Sequence, residues 1–215
     1  MDYTALVVAA GSGSRVNLGY NKLLYTFENG KTILEETLRV FMEDAQCRQI
    51  VVVANSDDKE TFIKLCGCGK VVFAYGGETR QQSVYNGLKA VKEDVVLIHD
   101  GARPWLPKAC IDELLENLKE HPACLLCVPV KDTIKEVKDG YVVSTYRRDT
   151  LKQAQTPQGF DTNFIIHCYE KAMRLGIQAT DDAQIVEECS DIAVRAVNGS
   201  YANIKVTTME DLKGK

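Results

Sequence analysis

The sequence predicts an α/β fold with a mostly parallel sheet covered by helices on both faces. Three observations predict it. Short, nearly unbroken apolar runs recur, such as "QIVVVA" and "VVLIH". Stretches with helical spacing of apolar residues separate them. Glycines or charged groups follow several of the runs, at the strand ends where open α/β sheets bind ligands.

The bulk numbers agree with one soluble globule. The chain has 215 residues, 45% hydrophobic and 26% charged, a length for which a single core is the better expectation. We read residues 1–215 as one domain with an arm at about 131–148. The formal net charge of -4 argues against a surface that coats nucleic acid, which needs basic excess, but permits one nucleotide in a local basic pocket. No apolar run approaches the roughly 18 residues of a membrane-spanning helix. The start of the chain lacks the basic and apolar regions of a secretory signal. A cytoplasmic protein is the expectation, with no membrane and no nucleic-acid partner.

The elements follow in order. Thr4–Ala9 reads as a strand. Thr32–Glu43 reads as a helix, opened by Thr32 and Glu35 in capping-box spacing, with Ile33, Leu34, Leu38 and Phe41 on one face. Gln49–Ala54 is the next strand, and Ser56 is placed to cap a helix through about Leu65. Lys70–Tyr75 is a third strand, Thr79–Val91 a helix, Val95–His99 a fourth strand, Lys108–Glu120 a helix and Ala123–Pro129 a fifth strand. The rhythm then breaks. Between 131 and 148 an Asp139-Gly140 pair separates two β-like segments, the signature of a type I′ hairpin. This polar excursion has little to bury alone; a clasp on a second subunit is preferred over a solvated surface hairpin. Helices at Asp161–Leu175 and Asp181–Cys189 and a strand at Ile192–Val197 follow. Thr207 and Glu210 again have capping-box spacing.

Eight cysteines are many for this length. Cys66, Cys68, Cys124 and Cys127 resemble a zinc set at first sight. Cys124 and Cys127 lie in an apolar, β-like segment, where residues three apart point to opposite faces. Free, mostly buried thiols in a reducing compartment are the preferred reading over zinc or disulfides.

The chemistry gathers at three strand ends. In "AAGSGSRVNLGYNK" (Ala9–Lys22), a Rossmann fingerprint is only partial: Gly11 and Gly13 fit, but Val16 stands at the third position and Asn55-Ser56 where the ribose acid belongs. A P-loop is absent. The remaining reading uses what is present. Small Ala9 and Ala10 admit a base and ribose. Gly11 and Gly13 free backbone N–H groups for phosphate oxygens, and Arg15 and Lys22 bring positive charge. In "HDGARP", Asp100 follows a buried strand and suits Mg²⁺ or a ribose hydroxyl, while Arg103 suits an anion. In "GGETRQQSV", Gly76 and Gly77 stand at another strand end, and Arg80 and Ser83 lie in the first turn of a helix, which offers backbone groups and a hydroxyl to read a base edge. His99 reads as a packing or orienting histidine rather than a general base.

Seven segments in order, "AAGSGSR…NK", "GGETRQQSV", "HDGARP", "PVKDTIK", "TPQGF", "ATDDAQIVE" and "NIKVTTMEDL", resemble the 2-C-methyl-D-erythritol 4-phosphate cytidylyltransferase family. The resemblance implies a Rossmann-like nucleotidyltransferase three-layer sandwich with a protruding arm, a homodimer and a Mg²⁺-dependent reaction of isoprenoid precursor biosynthesis. CTP and the sugar-alcohol phosphate would give the cytidyl diphosphate product and pyrophosphate. It implies Arg15, Lys22 and Lys205 as catalytic cations. Ala9, Ala10, Gly11, Gly13, Gly77, Glu78, Arg80, Ser83 and Asp100 would bind CTP, Asp100 also serving the metal. Arg103, Thr133, Arg148, Thr156 and Lys205 would bind the acceptor, with Thr133 and Arg148 given across the dimer.

Two motifs depart from the family pattern. Asn21-Lys22-Leu23 replaces the usual Pro-Lys-Gln, and Gly101 stands where alanine is usual, which is expected to loosen the backbone there. The nearest alternative is a ribitol 5-phosphate cytidylyltransferase, whose acid motif tends to read His-Asp-Ala-Val-Arg-Pro; Ala102 and "ATDDAQ" favour the erythritol enzyme. A non-catalytic nucleotide-binding protein and a nicotinamide reductase are the more distant alternatives.

Overall fold

The computed structural model of the chain describes residues 1–11 and 19–212. Its strands are β1 (Tyr3–Val8), β2 (Cys47–Ala54), β3 (Val71–Tyr75), β4 (Val95–Asp100), β5 (Ala123–Pro129), β6 (Lys135–Lys138), β7 (Tyr141–Thr145), β8 (Lys152–Asp161) and β9 (Arg195–Asn198). The helices are α1 (Ile33–Glu43), α2 (Lys59–Cys66), α3 (Arg80–Leu88), α4 (Lys108–Leu118), α5 (Thr162–Leu175) and α6 (Asp182–Cys189).

Seven strands form one sheet in the order β3-β2-β1-β4-β8-β5-β9. The neighbours are parallel except at β8, which runs antiparallel to both β4 and β5. The unbroken apolar runs are explained by burial on both faces. Ala5, Val7, Ile50 and Val52 turn to a core shared with Leu34, Leu38 and Phe41 of α1 and Ile111 and Leu114 of α4. Leu6, Val51 and Val53 turn to the other, shared with Val84 of α3, Ile165 and Tyr169 of α5 and Ile185 of α6. Successive residues feed opposite layers, as the two-residue period of a strand requires.

Strand β8 escapes the sequence reading. "KQAQTPQGFD" is polar and contains Pro157 and Gly159, both poor central-strand residues. Gln155, Thr156 and Gln158 in its middle are buried because distant partners satisfy them. Gln155 bonds the Ser200 backbone in both directions, and Gln158 joins Asp181 and the Ala183 N–H. Gly159 is required by packing: a Cβ there would sit 2.7 Å from Leu118 and 2.9 Å from Leu97. The β5–β8 register shifts between Leu125 and Cys127, near the residue that lacks an N–H.

Local signals were mostly legible, with corrections. Thr32 and Glu35 close the capping box of α1, and Thr79 with Gln82 closes that of α3. Ser56 does not cap α2. The helix starts at Lys59, and it is Asn55 whose side chain accepts the Asp58 N–H. Near the end, Asp211 rather than Glu210 gathers the N–H and hydroxyl groups of Thr207 and Thr208. Strand β9 is shorter and later than expected, because only Arg195–Asn198 reach the β5 ladder.

The excursion is a hairpin of β6 and β7, paired only with each other. Asp139 and Gly140 have φ of 51° and 82°, the positive values of a type I′ turn. Every residue of both strands is exposed. The eight cysteines are free thiols, and Cys68 alone is exposed. Among the described residues no helix is long and apolar enough to cross a membrane.

Candidate active site

The sheet presents its ligand-binding end where β1, β3 and β4 stop. A cleft of about 330 Å³ opens there, lined by Ala9, Ala10, Gly11, Lys22, Gly77, Glu78, Arg80, Ser83, Asp100 and Lys205, among others. A second cavity of about 170 Å³ adjoins it, lined by Arg103, Gln155, Thr156, Gln158 and Asp181, among others. Arg80, Asp100 and Lys205 line both. A buried carboxylate and two cations thus form the wall between the two spaces.

Asp100 is the electrostatic centre of that wall. Lys205 Nζ lies 2.8 Å from its Oδ2, and Arg103 Nε 3.5 Å from the same oxygen. Arg80 Nη2 stands 3.8 Å from Oδ1. Burial alone would push the carboxyl up, but Lys205, Arg80 and Arg103 together hold it below the usual carboxylate range. The group is therefore ionised at neutral pH, surrounded by three cations drawn from three separate parts of the chain.

Each cation is fixed by its neighbours. The segment carrying Lys205 is anchored on both sides: Val206 N–H donates to Ala102 O, and Asn203 Nδ2 donates to Thr156 O. Arg103 Nη1 donates to Asn203 O. Its Nε is buried without a hydrogen-bond partner, as is Asn203 Oδ1. Lys22 Nζ donates to Val206 O at 2.7 Å, which brings the lysine after the glycine loop beside the Lys205 segment. Asn21 explains the departure from the family's proline. Its Oδ1 accepts the Leu23 N–H, and its Nδ2 donates to Gly11 O and to Asp58. A side-chain network orients the turn in place of a rigid ring.

The second departure has the opposite effect from that expected. Gly101 does not loosen its surroundings. Its N–H donates to Val8 O and its carbonyl accepts from Thr37 Oγ1. A Cβ there would lie 2.9 Å from Val8 O and 3.3 Å from Leu23. Glycine lets β1 and the end of β4 approach closely.

His99 is fully buried behind this wall. Arg103 O can only accept, so the proton of the neutral His99 ring sits on Nε2, which donates to that carbonyl at 3.1 Å. Nδ1 then accepts from Thr156 Oγ1, which itself accepts the Asp100 N–H. Burial pulls the imidazole down to about 4. A neutral ring thus braces the Asp100 and Arg103 backbones, the orienting role expected of it. The Thr156 hydroxyl is engaged in the same brace. The Ser83 hydroxyl is likewise engaged, accepting from Gly77 N–H and donating to Thr79 O.

These features carry the imprint of one family. The family model for 2-C-methyl-D-erythritol 4-phosphate cytidylyltransferase matches residues 3–214. The chain belongs to that family. It is 42% identical over 217 residues to the 2-C-methyl-D-erythritol 4-phosphate cytidylyltransferase of Bacillus velezensis, covering 99% of this chain and 93% of that protein. It is 44% identical to the enzyme of that name from Clostridioides difficile, covering 98% and 90%. The crystal structure of 4-diphosphocytidyl-2C-methyl-D-erythritol synthase from Anaerococcus prevotii superposes with a TM-score of 0.87 at 33% identity, covering 98% and 92%. The Francisella tularensis cytidylyltransferase gives 0.85 at 32% identity, covering 99% and 97%. The fold is accordingly the α/β Rossmann-like nucleotidyltransferase fold of the family.

The described family positions divide into three groups. Ala9, Ala10, Gly11, Lys22, Gly77, Glu78, Arg80, Ser83, Asp100 and Lys205 meet in the larger cleft. Arg103 and Thr156 line the smaller one. Thr133 and Arg148 stand exposed in the arm, outside both cavities of their own chain, with Arg148 Nη1 donating to Lys131 O. Gly13 and Arg15 lie outside the described residues. Sequence reasoning missed Asn21, Gln155, Gln158, Asp182 and Asn203. Each is a buried polar residue whose partner is remote in sequence. The Asp181-Asp182 pair was visible, but reads locally as helix capping.

A divalent metal is constrained by the same geometry. Among the described residues no three His, Cys, Asp or Glu groups converge. Asp100 offers one oxygen, Oδ1, with Arg80 no nearer than 3.8 Å. One carboxylate completed by substrate phosphates and water is an ordinary Mg²⁺ arrangement, so the residues present fit the ion.

Proposed function

We propose that this chain transfers CMP from CTP to 2-C-methyl-D-erythritol 4-phosphate, releasing pyrophosphate. The observation that carries the reading is the wall shared by two adjoining cavities, with Asp100 amid Lys205, Arg80 and Arg103. A reaction between two anions needs two pockets that meet at fixed positive charge. The larger cleft takes the nucleotide: Ala9, Ala10 and the Gly77–Ser83 turn meet the nucleoside, and Gly11, Gly13, Arg15 and Lys22 meet the triphosphate. The smaller takes the sugar-alcohol phosphate against Arg103, Lys205 and the Thr156 segment.

The acceptor phosphate is itself the nucleophile, already anionic near neutral pH, and attacks the α-phosphorus in line. No side chain has to be activated. The work of the protein is positioning and charge compensation. Mg²⁺, held by Asp100 and phosphate oxygens, would supply further positive charge at the triphosphate. Arg103, which lines the smaller cavity and whose Nε makes only a long 3.5 Å ion pair with Asp100, is suited to an acceptor phosphate oxygen. The assembly is a homodimer in a cytoplasmic setting, in which the arm of one subunit brings Thr133 and Arg148 to the acceptor pocket of the other.

Pyrophosphate release with CTP and Mg²⁺ tests this reading. Turnover should require 2-C-methyl-D-erythritol 4-phosphate and should be much weaker with ribitol 5-phosphate. Preference for the ribitol ester, or release with neither acceptor, overturns the assignment.

A further inference from the structure

The two neighbouring aspartates of "ATDDAQIVE" do different work. Asp181 is the N-cap of α6, accepting from Gln184 N–H, and also receives Gln158 Nε2. Asp182, the first helical residue, is fully buried and lines neither cavity. Its carboxylate accepts a two-pronged bond from Arg80, with Nη1 to Oδ1 at 3.0 Å and Nη2 to Oδ2 at 2.7 Å. Tyr169 Oη donates to the same Oδ1. Planar guanidinium–carboxylate forks are the directional form of an ion pair.

Arg80 needs such a hold. It begins α3, 102 residues from Asp182 in sequence, and lines both cavities. An unrestrained guanidinium there would close on Asp100, whose Oδ2 already engages Lys205 and Arg103. The fork occupies two of the five N–H groups and leaves the others for a ligand. Burial weakens the Arg80 charge, but Asp182, with a smaller contribution from Asp100, more than restores it.

We propose that Asp182 is a positioning residue for the transfer reaction: its fork holds Arg80 at the wall between the cavities, 3.8 Å from Asp100, so that Arg80 meets the bound nucleotide without displacing Lys205. The inference rests on the functional reading above and deepens it. Asp182 touches no substrate and acts through Arg80 alone.

A double-mutant cycle tests it. Wild type, Arg80→Ala, Asp182→Asn and the double variant are compared in pyrophosphate release, in equilibrium CTP binding and in thermal unfolding. Each single change should lower kcat/KM by roughly tenfold to a hundredfold, with the same division between KM and kcat. The double variant should be no worse than Arg80→Ala. An Asp182→Asn enzyme near wild type, or one that loses the same factor again in the Arg80→Ala background, overturns the proposal. Should Asp182→Asn fail to fold, Arg80→Lys decides: it keeps the charge but cannot form the fork. A loss like that of Arg80→Ala supports the inference and wild-type kinetics overturn it. A wild type that binds CTP but releases no pyrophosphate with either acceptor overturns the functional reading instead, while the CTP titrations still decide on Asp182.

Discussion

Lys205 Nζ stands 2.8 Å from Asp100 Oδ2, and the segment is anchored on both sides of the lysine, by the Asn203 side chain to Thr156 O and by Val206 N–H to Ala102 O. The pair therefore has a set geometry before any ligand arrives. Asp100 holds the ammonium at the seam of two cavities, where the proposed function brings the acceptor phosphate to the α-phosphate. Replacing Lys205 with alanine should lower turnover by about 10²–10³-fold, the usual effect of removing one preorganised donor to developing charge. Arg80 and Arg103 still flank Asp100 in the variant, so the fold should persist. Steady-state pyrophosphate release and a thermal melt check both halves. Near-normal turnover in a folded variant removes Lys205 from the mechanism.

Lys22 belongs to the same seam from the other direction. Its Nζ donates to Val206 O, one residue beyond Lys205. That bond links the turn after the glycine loop to the segment bearing the second cation. Lys22→Ala should lose turnover by at least ~10²-fold. A hydrogen bond from a charged group contributes only about 1.5–3 kcal/mol, so the melting midpoint should fall by about 2–4 °C per kcal/mol lost. A large drop in stability with turnover preserved would make the lysine structural.

What could be read from the sequence divides along a physical line. Strands β1, β2, β4 and β5 were legible because burial on both faces demands unbroken apolar runs such as "QIVVVA", whereas the half-exposed edge strand β3 was legible from its β-branched and aromatic run "VVFAY". The hairpin was legible because Asp139-Gly140 is local turn chemistry. Strand β8 was not, since Gln155, Thr156 and Gln158 look like surface residues until Ser200, His99, Asp100 and Asp181 are brought to them. The site follows the same rule. Gly11, Gly77 and Asp100 stand at strand ends that periodicity locates. The pairing of Arg80 with Asp182, and the anchoring of Lys205 through Asn203, depend on contacts across the fold that no local pattern encodes.

The end of the sheet away from the site carries its own buried carboxylate, with a consequence for acid stability. Tyr3 Oη donates to Asp44 Oδ2 at 2.7 Å, Lys108 Nζ lies 3.3 Å from that oxygen, and Gln46 N–H donates to Oδ1. Burial pushes the Asp44 carboxyl up, but the Gln46, Tyr3 and Lys108 contacts pull it lower still. Its folded value is thus below the unfolded one of about 3.9. The stabilisation is fully present above that unfolded value and is lost as pH falls through the lower folded value. Tyr3→Phe should therefore shift the acid-unfolding midpoint to higher pH, with the stability gap from wild type greatest near neutrality and narrowing below about pH 4. Circular dichroism against pH measures it, and superimposable acid transitions would exclude this role. Turnover at neutral pH should be unchanged.

The hairpin arm raises the last expectation. Val137, Tyr141, Val142 and Val143 are 58%, 77%, 62% and 54% exposed, an apolar surface that a lone chain leaves in water. Val137 and Val142 are direct partners across β6 and β7. On a dimer in which each arm serves the other subunit, Arg148 and Lys22 of one site come from different chains. Arg148→Ala and Lys22→Ala homodimers should each be nearly inactive. When the two are co-expressed, half of the dimers are mixed, and each mixed dimer regains one site with both residues intact. Activity should then recover to about a quarter of the wild-type level, as two-fold symmetry and random pairing require. Val142→Asp should weaken association on size-exclusion chromatography and abolish that recovery. If co-expression restores nothing while mixed dimers form, each pocket is built from a single chain and the arm serves another purpose.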